Sequence, residues 1–411
     1  QGSPLTGMDG PTRVLMVTTS YPRHEGDHAG HFVAALAERI AGTGRTVTVL
    51  APHEGALPES ETVRGVHIER FRYLPGRAEQ IAYGSGIVEN LRHRPLAALG
   101  LPAFVMALRR GLSRLAGGSD LVHVHWGPTA ALAAPWGLST PYVLTLHGSD
   151  VTLARRGGIW LRMLRRALAS AAGVIVVANA QRDFLLGSGL WDAQRPLAVI
   201  PSGVPAELLD RPIAGRAERP FVFLFVGRLV ESKGVLELLA AFSELRAAGV
   251  DAELHVIGDG PLGPTVREAA ASGATEGRIR VRGGLPHAGA LDAIAKAGAL
   301  VLPSHGEGSP LVVAEALALG TPVIGTRVGA MPELLGADGL LSEPGDVRVL
   351  AENMSLLAGD AGLGARLAAE GRQRATATLS WAAVTRTTLE FYGTVIGGHA
   401  EGDSTLEVAA W

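Results

Sequence analysis

"FVFLFVGRLVESKG", residues 221 to 234, decides the fold. Its first six residues are apolar without alternation, as a strand covered on both faces requires. A glycine and Arg228 end the run, and after a short loop Lys233 and Gly234 lead into an apolar helical pattern. Strand, loop and helix in that order are the half-unit of a sheet wound with helices on both faces.

The same rhythm recurs on either side. Before it come "RVLMVTT" (13 to 19), "TVTVLAP" (46 to 52), "LVHVHW" (121 to 126), "YVLTLH" (142 to 147) and "GVIVVAN" (173 to 179). After it come "ELHVIG" (253 to 258), "RIRVRG" (278 to 283), "ALVLPS" (299 to 304) and "TPVIGT" (321 to 326). Between the two sets, residues 205 to 219 turn rich in Pro, Gly and charge, as linkers do. At 411 residues the chain exceeds what one core usually organises. The expected architecture is α/β, with two doubly wound Rossmann-like domains, 11–204 and 220–378, facing each other across a cleft. Ligands of such sheets bind at the carboxyl ends of the strands, so the chemistry is sought there.

Composition narrows the function classes. The chain is 47% hydrophobic and 18% charged with a net charge of −2, which gives no footprint for nucleic acid. It has no cysteine, so disulfides, thiolate metal sites and a cysteine nucleophile are excluded, in keeping with a reducing cytoplasm. Residues 1–10, opening "QGSPLTG", read as a cloning remnant, and nothing near the start is ordered like a secretion signal. Arg or Gly breaks every apolar run before the roughly 18 residues a spanning helix needs, so no membrane span is expected. Of 37 basic residues only Lys233 and Lys296 are lysines and 35 are arginines, which singles out Lys233.

In the stretch quoted first, Arg228 and Lys233 lie between a strand end and a helix start. Backbone N–H groups and the helix dipole favour an anion there, and the two cations neutralise it; a pair of solvated surface cations is the plainer reading. "GDGPLG" (258 to 263) follows a strand and matches the dinucleotide fingerprint G-x-G-x-x-G. No acidic residue closes the next strand, so the glycines are read instead as a tight turn allowing close approach to the backbone.

"HGEGSPLVVAEALALG" (305 to 320) poses a problem of its own. Ser309 is expected as N-cap and Pro310 as the first helical residue, which would aim the N–H groups of Leu311 and Val312 at the strand end. Glu307 would lie in the loop and Glu315 inside an apolar helix, where a carboxylate is costly without a partner. A neighbouring Arg could supply it, or two hydroxyls of a sugar. In the first domain His147 ends a strand in "TLHGSD", with Asp150 nearby. Gly26 and Gly30 in "YPRHEGDHAGHF" (21 to 32) would let a loop approach a ligand. His24, His28 and His31 invite a metal reading, which lacks a carboxylate pair at a defined spacing.

Taken together, "GRLVESKG", "GDGP", the E-x7-E pair in "EGSPLVVAE", "TLHGSD", "YPRHEGDHAGHFVAALAERI", "HVHWGP" and "VIPSGV" resemble the retaining nucleotide-sugar glycosyltransferases of the GT-B fold, the glycosyl transferases group 1 family. The similarity runs from about 12 to 395. The resemblance implies that Arg228 and Lys233 bind the donor diphosphate in place of a metal, so that neither metal nor cofactor is required. It implies that Glu315 holds the ribose and that Glu307 touches the donor sugar beside its reacting carbon. The segment Gly308, Ser309, Pro310, Leu311 and Val312, through its N–H groups, would hold sugar and phosphate, with Gly258 in the same donor set. His147 would contact the sugar, Gly30 would approach the diphosphate, and the backbone at Arg282 and Gly283 would read the base. Glu307, His147, Arg228 and Lys233 form the implied catalytic set. The family often has an aromatic residue and Gly where this chain has Ser309 and Pro310, which leaves the choice of donor sugar open. Its last helix crosses back onto the first domain, a part that 379–396 would suit, and 397–411 would be a mobile tail.

The implied reaction moves a sugar from a nucleoside diphosphate, UDP favoured over GDP, to an acceptor hydroxyl. Stabilising the leaving diphosphate is its main catalytic term. Retention would follow from attack on the face of departure, with a Glu307 nucleophile as the alternative. Residues 70–117 and 154–170 mix apolar residues with Arg, as a surface on anionic lipid or a grip on a lipid-linked acceptor would; solvated helix faces look the same. The expected place is the cytoplasm or the inner face of its membrane. The competing readings are a sugar phosphorylase, an NAD(P)-dependent oxidoreductase and a non-catalytic nucleotide-binding module.

Overall fold

The structure is a computed structural model that describes residues 10–27, 29–84, 86–133, 138–213, 220–272 and 277–397. Residues 1–9 of the expected remnant, His28, the linker's 214–219 and the tail from 398 lie outside the described residues. The described residues divide into two compact units, one formed by 10–177, 181–200 and 384–397 and the other by 178–180 and 201–383.

Unit 1 is built on eight strands: β1 (Arg13–Val17), β2 (Thr46–Pro52), β3 (Ser60–Val63), β4 (Val66–Phe71), β5 (Leu121–His125), β6 (Tyr142–Leu146), β7 (Gly173–Val176) and β8 (Leu197–Val199). Their order is β3-β4-β2-β1-β5-β6-β7-β8, parallel except for β3. Strand β1 therefore has β2 on one side and β5 on the other, so the chain reverses its direction of winding between β1 and β5. In such sheets ligands bind at this reversal, beyond the carboxyl ends.

The β3–β4 hairpin was not expected. Its two-residue turn is Arg64-Gly65, both with positive φ (48° and 81°), the twist a tight hairpin needs. Arg in place of the usual Asn or Asp concealed it.

Unit 2 has six parallel strands: β9 (Phe221–Val226), β10 (Ala252–Ile257), β11 (Ile279–Val281), β12 (Ala299–Leu302), β13 (Val323–Thr326) and β14 (Leu340–Ser342), in the order β11-β10-β9-β12-β13-β14. Its reversal lies between β9 and β12. Phe223, Leu224 and Phe225 of β9 are buried, as the unalternating sequence requires. The helix Trp381–Gly397 belongs to unit 1 from Val384 onward, and Tyr392 and Phe391 are buried in that unit.

The apolar runs are less broken than the sequence reading took them to be. Among the described residues one stretch, Pro95–Ala116, is long and apolar enough to cross a membrane by length and composition. Its Arg109, Arg110 and Gly111 do not lower its apolar character enough to exclude it. Phe104, Leu108 and Leu112, at helical spacing, are buried in the core of unit 1, as in a helix laid along a sheet. Gly111 lets it lie close, since a Cβ there would stand 2.8 Å from Leu50.

Candidate active site

In unit 2 the loops after β9 and β12 meet at the reversal point. Gly234 has φ 67°, and a Cβ on it would stand 1.9 Å from the Pro303 carbonyl oxygen, so only glycine lets the loops approach. The His305 N–H donates to the Ser232 carbonyl at 3.0 Å, and the His305 ring lies 2.7 Å from Glu237. Across this junction Lys233 Nζ donates to Glu307 Oε1 at 2.5 Å, and the Ser304 hydroxyl donates to the same oxygen at 2.6 Å. Glu307 keeps 7% of its side chain exposed and Lys233 27%. The two residues thus form one pair, where the resemblance gave Lys233 to the donor diphosphate and Glu307 to the sugar beside it. Arg228 is exposed and has no hydrogen-bond or ion-pair partner among the described residues.

The helix Leu311–Ala318 starts one residue later than expected. Pro310 is its N-cap, with extended backbone (ψ 113°), and no side chain caps it. The Pro310 carbonyl accepts from the Val313 and Ala314 amides, while the N–H groups of Leu311 and Val312 have no acceptor within the helix. Pro310 has no N–H to offer. Displaced from the cap, the Ser309 hydroxyl is buried without a hydrogen-bond partner. Two free amides, an orphaned hydroxyl, Lys233 and Arg228 thus cluster where one sheet changes its winding. Gly308 is held from behind, its carbonyl accepting from the Ala330 N–H at 2.9 Å.

Glu315 has a partner that the sequence reading did not name. His287 Nε2 lies 2.7 Å from Glu315 Oε1, and this hydrogen bond raises the imidazole above its usual range. His287 opens the helix His287–Lys296, after β11. A carboxylate amid apolar residues was the signal for a partner, but nothing in the sequence ties position 287 to position 315.

The "GDGPLG" glycines serve the protein itself. A Cβ on Gly258 would stand 1.9 Å from the Gly227 carbonyl oxygen, and one on Gly260 2.4 Å from that of Leu229. They pack β10 against the Arg228 loop, which accounts for the spacing without a dinucleotide. The Gly258 N–H donates to the Gly283 carbonyl and the Arg282 N–H to that of Val256, both at 2.9 Å. Asp259, unremarked in the sequence, accepts from the Gly284 N–H at 2.8 Å and anchors the segment expected to read the base. The Arg282 side chain is exposed.

Gly30 and His147 belong to unit 1. A Cβ on Gly30 would stand 2.0 Å from the Ser20 carbonyl oxygen, and the ring of Phe32, two residues on, lies 4.8 Å from the His147 ring. Asp150 is buried and accepts four backbone N–H groups, those of Gly127, His147, Gly148 and Val151. Burial raises its carboxyl and the four amides oppose the shift. His147 stacks on His125 with Nε2 to Nδ1 at 3.1 Å. Behind them His123 is bonded by the Thr145 and Tyr392 hydroxyls, each at 2.6 Å. Burial pushes His147 down to about 4 and His123 to about 3, so both are neutral at ordinary pH. His24 bonds the Glu25 carbonyl, and among the described residues no three His, Asp or Glu side chains are grouped to hold a metal.

Two doubly wound α/β units are the architecture of the GT-B glycosyltransferase structures. Residues 29–208 match the family profile described as Glycosyltransferase Family 4, and residues 220–360 the one described as Glycosyl transferases group 1. The chain is 30% identical over 374 residues to a Bacillus subtilis glycosyltransferase named for teichuronic acid biosynthesis, TuaC, covering 83% of this chain and 87% of that one. It is 30% identical over 387 residues to the phosphatidyl-myo-inositol mannosyltransferase of Mycobacterium leprae, covering 92% and 95%. Anabaena HepE, solved in complex with UDP, has the same fold with a TM-score of 0.68 at 18% identity, over 92% of this chain and 98% of that one. The chain belongs to the group 1 glycosyltransferases and is a transferase enzyme.

Proposed function

We propose that the enzyme moves a sugar, with retention, from a nucleoside diphosphate donor to an acceptor hydroxyl, with UDP favoured over GDP and no metal required. The observation that carries this is the unit 2 cluster of Lys233, Arg228, the orphaned Ser309 hydroxyl and the free amides of Leu311 and Val312. Cleaving the bond from sugar to diphosphate leaves negative charge on the diphosphate. Fixed donors aimed at developing charge are the largest catalytic term available to such a site. Arg228 can fork two phosphate oxygens and Lys233 supplies a compact charge. Lys233 would turn from Glu307 to phosphate as the donor binds, which frees the Glu307 carboxylate to face the reacting carbon of the sugar. Glu315, steadied through one oxygen by His287, keeps the other for ribose hydroxyls. His147 and Gly30 carry donor roles by family resemblance alone.

HepE was also solved in complex with UDP-glucose, which supports a UDP-sugar donor. The Mycobacterium leprae relative is named for a lipid acceptor, which supports a lipid-linked hydroxyl reached at the inner face of the membrane. Donor hydrolysis across a panel of UDP- and GDP-sugars, with and without EDTA, tests the reading. Hydrolysis of a UDP-sugar that survives chelation is expected, and a strict need for a divalent ion would remove the metal-free part.

A further inference from the structure

Unit 1 carries an outer surface that folding leaves unused. The segment Pro95–Gly100 is a 3-10 turn running directly into the helix Leu101–Ala116. Leu96 and Leu99, one 3-10 turn apart, stand above one another, and both are 80% exposed. Helical spacing continues the stripe through Pro102 and Met106, the latter 50% exposed, to Arg110. The opposite side of this helix is the buried one, with Phe104, Leu108 and Leu112. The stretch therefore has two apolar sides, one in the core and one facing outward.

A neighbouring helix repeats the pattern with more charge. Gly158–Ala169 buries Leu164, Ala167 and Leu168 and exposes Ile159 (58%) together with Arg162 and Arg165. It packs on the helix Gly127–Ala133, which in turn packs on Leu101–Ala116, so both stripes lie in one layer over the sheet. Arg110, Arg156, Arg162 and Arg165 are exposed and have no hydrogen-bond or ion-pair partner among the described residues. No acidic residue occurs between Asp150 and Ser170, and Asp150 is buried.

We propose that this layer is a docking surface for an anionic lipid bilayer, with Leu96, Leu99, Met106 and Ile159 entering the headgroup boundary and Arg110, Arg156, Arg162 and Arg165 meeting lipid phosphates. Exposed apolar residues flanked by unpaired cations are the composition of an interfacial surface. Against a second copy of this chain the unpaired arginines would meet arginines, so like charge disfavours a dimer on this face. The inference rests on the lipid-linked acceptor reading for its purpose only, because vesicle binding needs neither donor nor turnover.

The test is co-sedimentation of the full chain with phosphatidylcholine vesicles, and with vesicles that also contain phosphatidylglycerol. Binding to the anionic vesicles alone, weakened by salt, is expected. Leu96→Asp/Leu99→Asp and Arg162→Glu/Arg165→Glu should each lower it about tenfold or more, and Arg162→Lys/Arg165→Lys should keep most of it. Equal UDP binding by all four proteins shows that they are folded. Anionic vesicles bound no better than neutral ones, or charge-reversed variants binding like wild type, overturns the proposal. So does a wild-type dimer that the leucine variants dissolve. Vesicle binding by a protein that hydrolyses no sugar nucleotide would overturn the donor reading and leave the surface standing.

Discussion

Lys233 Nζ and Glu307 Oε1 lie 2.5 Å apart, joining residues separated by 74 positions across the winding reversal of unit 2. In the proposed reading, the donor diphosphate would draw Lys233 away from Glu307. Glu307 is the more buried partner, so the cost of losing Lys233 falls on a carboxylate left with only the Ser304 hydroxyl. Lys233→Ala is expected to lower denaturant stability by about 1–3 kcal/mol, and Lys233→Ala/Glu307→Gln to recover part of the loss. Urea unfolding of both variants checks this, and equal losses would show that the stranded Glu307 charge is not what destabilises Lys233→Ala.

Ser309 separates binding from folding. Its hydroxyl is buried without a partner, so removing it forfeits no hydrogen bond of the free protein. Ser309→Ala should stay within about 0.5 kcal/mol of wild type in stability while raising the KM for donor several-fold. An unchanged KM would mean that the hydroxyl does not face the ligand.

The two glutamates should fail differently. Glu315→Ala is expected to weaken UDP binding, and Glu307→Ala to lower kcat with a smaller change in UDP affinity. Calorimetric titration beside steady-state kinetics distinguishes the two patterns. Unchanged UDP affinity in Glu315→Ala would remove the ribose assignment.

His287 gives the site a pH signature. Its hydrogen bond to Glu315 raises the imidazole above the ordinary value near 6.5. The folded state therefore holds this proton more tightly than the unfolded chain. The resulting stability is fully present below about pH 6.5 and is lost as pH rises through the folded value. His287→Ala should flatten the pH dependence of the melting temperature above pH 6, and an unaltered profile would show that the pair carries no linked proton.

The unit 1 histidines act in the opposite sense. His123 and His147 are pushed down to about 3 and about 4 by burial, so the unfolded chain binds their protons first. Stability should fall as pH drops from about 6.5 toward 3. Tyr392→Phe, which strips a hydroxyl partner from His123, should cost about 1–3 kcal/mol at neutral pH. Thermal melts across this range test both statements.

Strands buried on both faces were plain in the sequence because their apolar runs need no knowledge of their neighbours. All ten expected strands lie within the two sheets, each the same length as expected or one to three residues shorter. The four that were missed have other reasons. Strand β3 is exposed and β8 and β14 have three residues each, while β4 was concealed by its Arg64-Gly65 turn. Within the site, Arg228 and Lys233 stood out as cations between a strand end and a helix start, Glu315 as a carboxylate inside an apolar helix, and Glu307 through the E-x7-E spacing. Which partner each finds depends on the reversal of winding, which the order of strands along the chain does not disclose. That is why the Lys233–Glu307 pair, His287 against Glu315, Ser304 and Asp259 appear only in three dimensions.

The measurement that bears most directly on the central claim is UDP titration by calorimetry, in EDTA, against wild type and Arg228→Ala/Lys233→Ala. Wild type should bind without a divalent ion, and the double variant, if it remains folded, should lose at least about a hundredfold in affinity, in line with two charge-assisted contacts. A folded double variant that binds UDP as tightly as wild type, or a wild type that binds only with a divalent ion, would contradict an anion site built from these two cations.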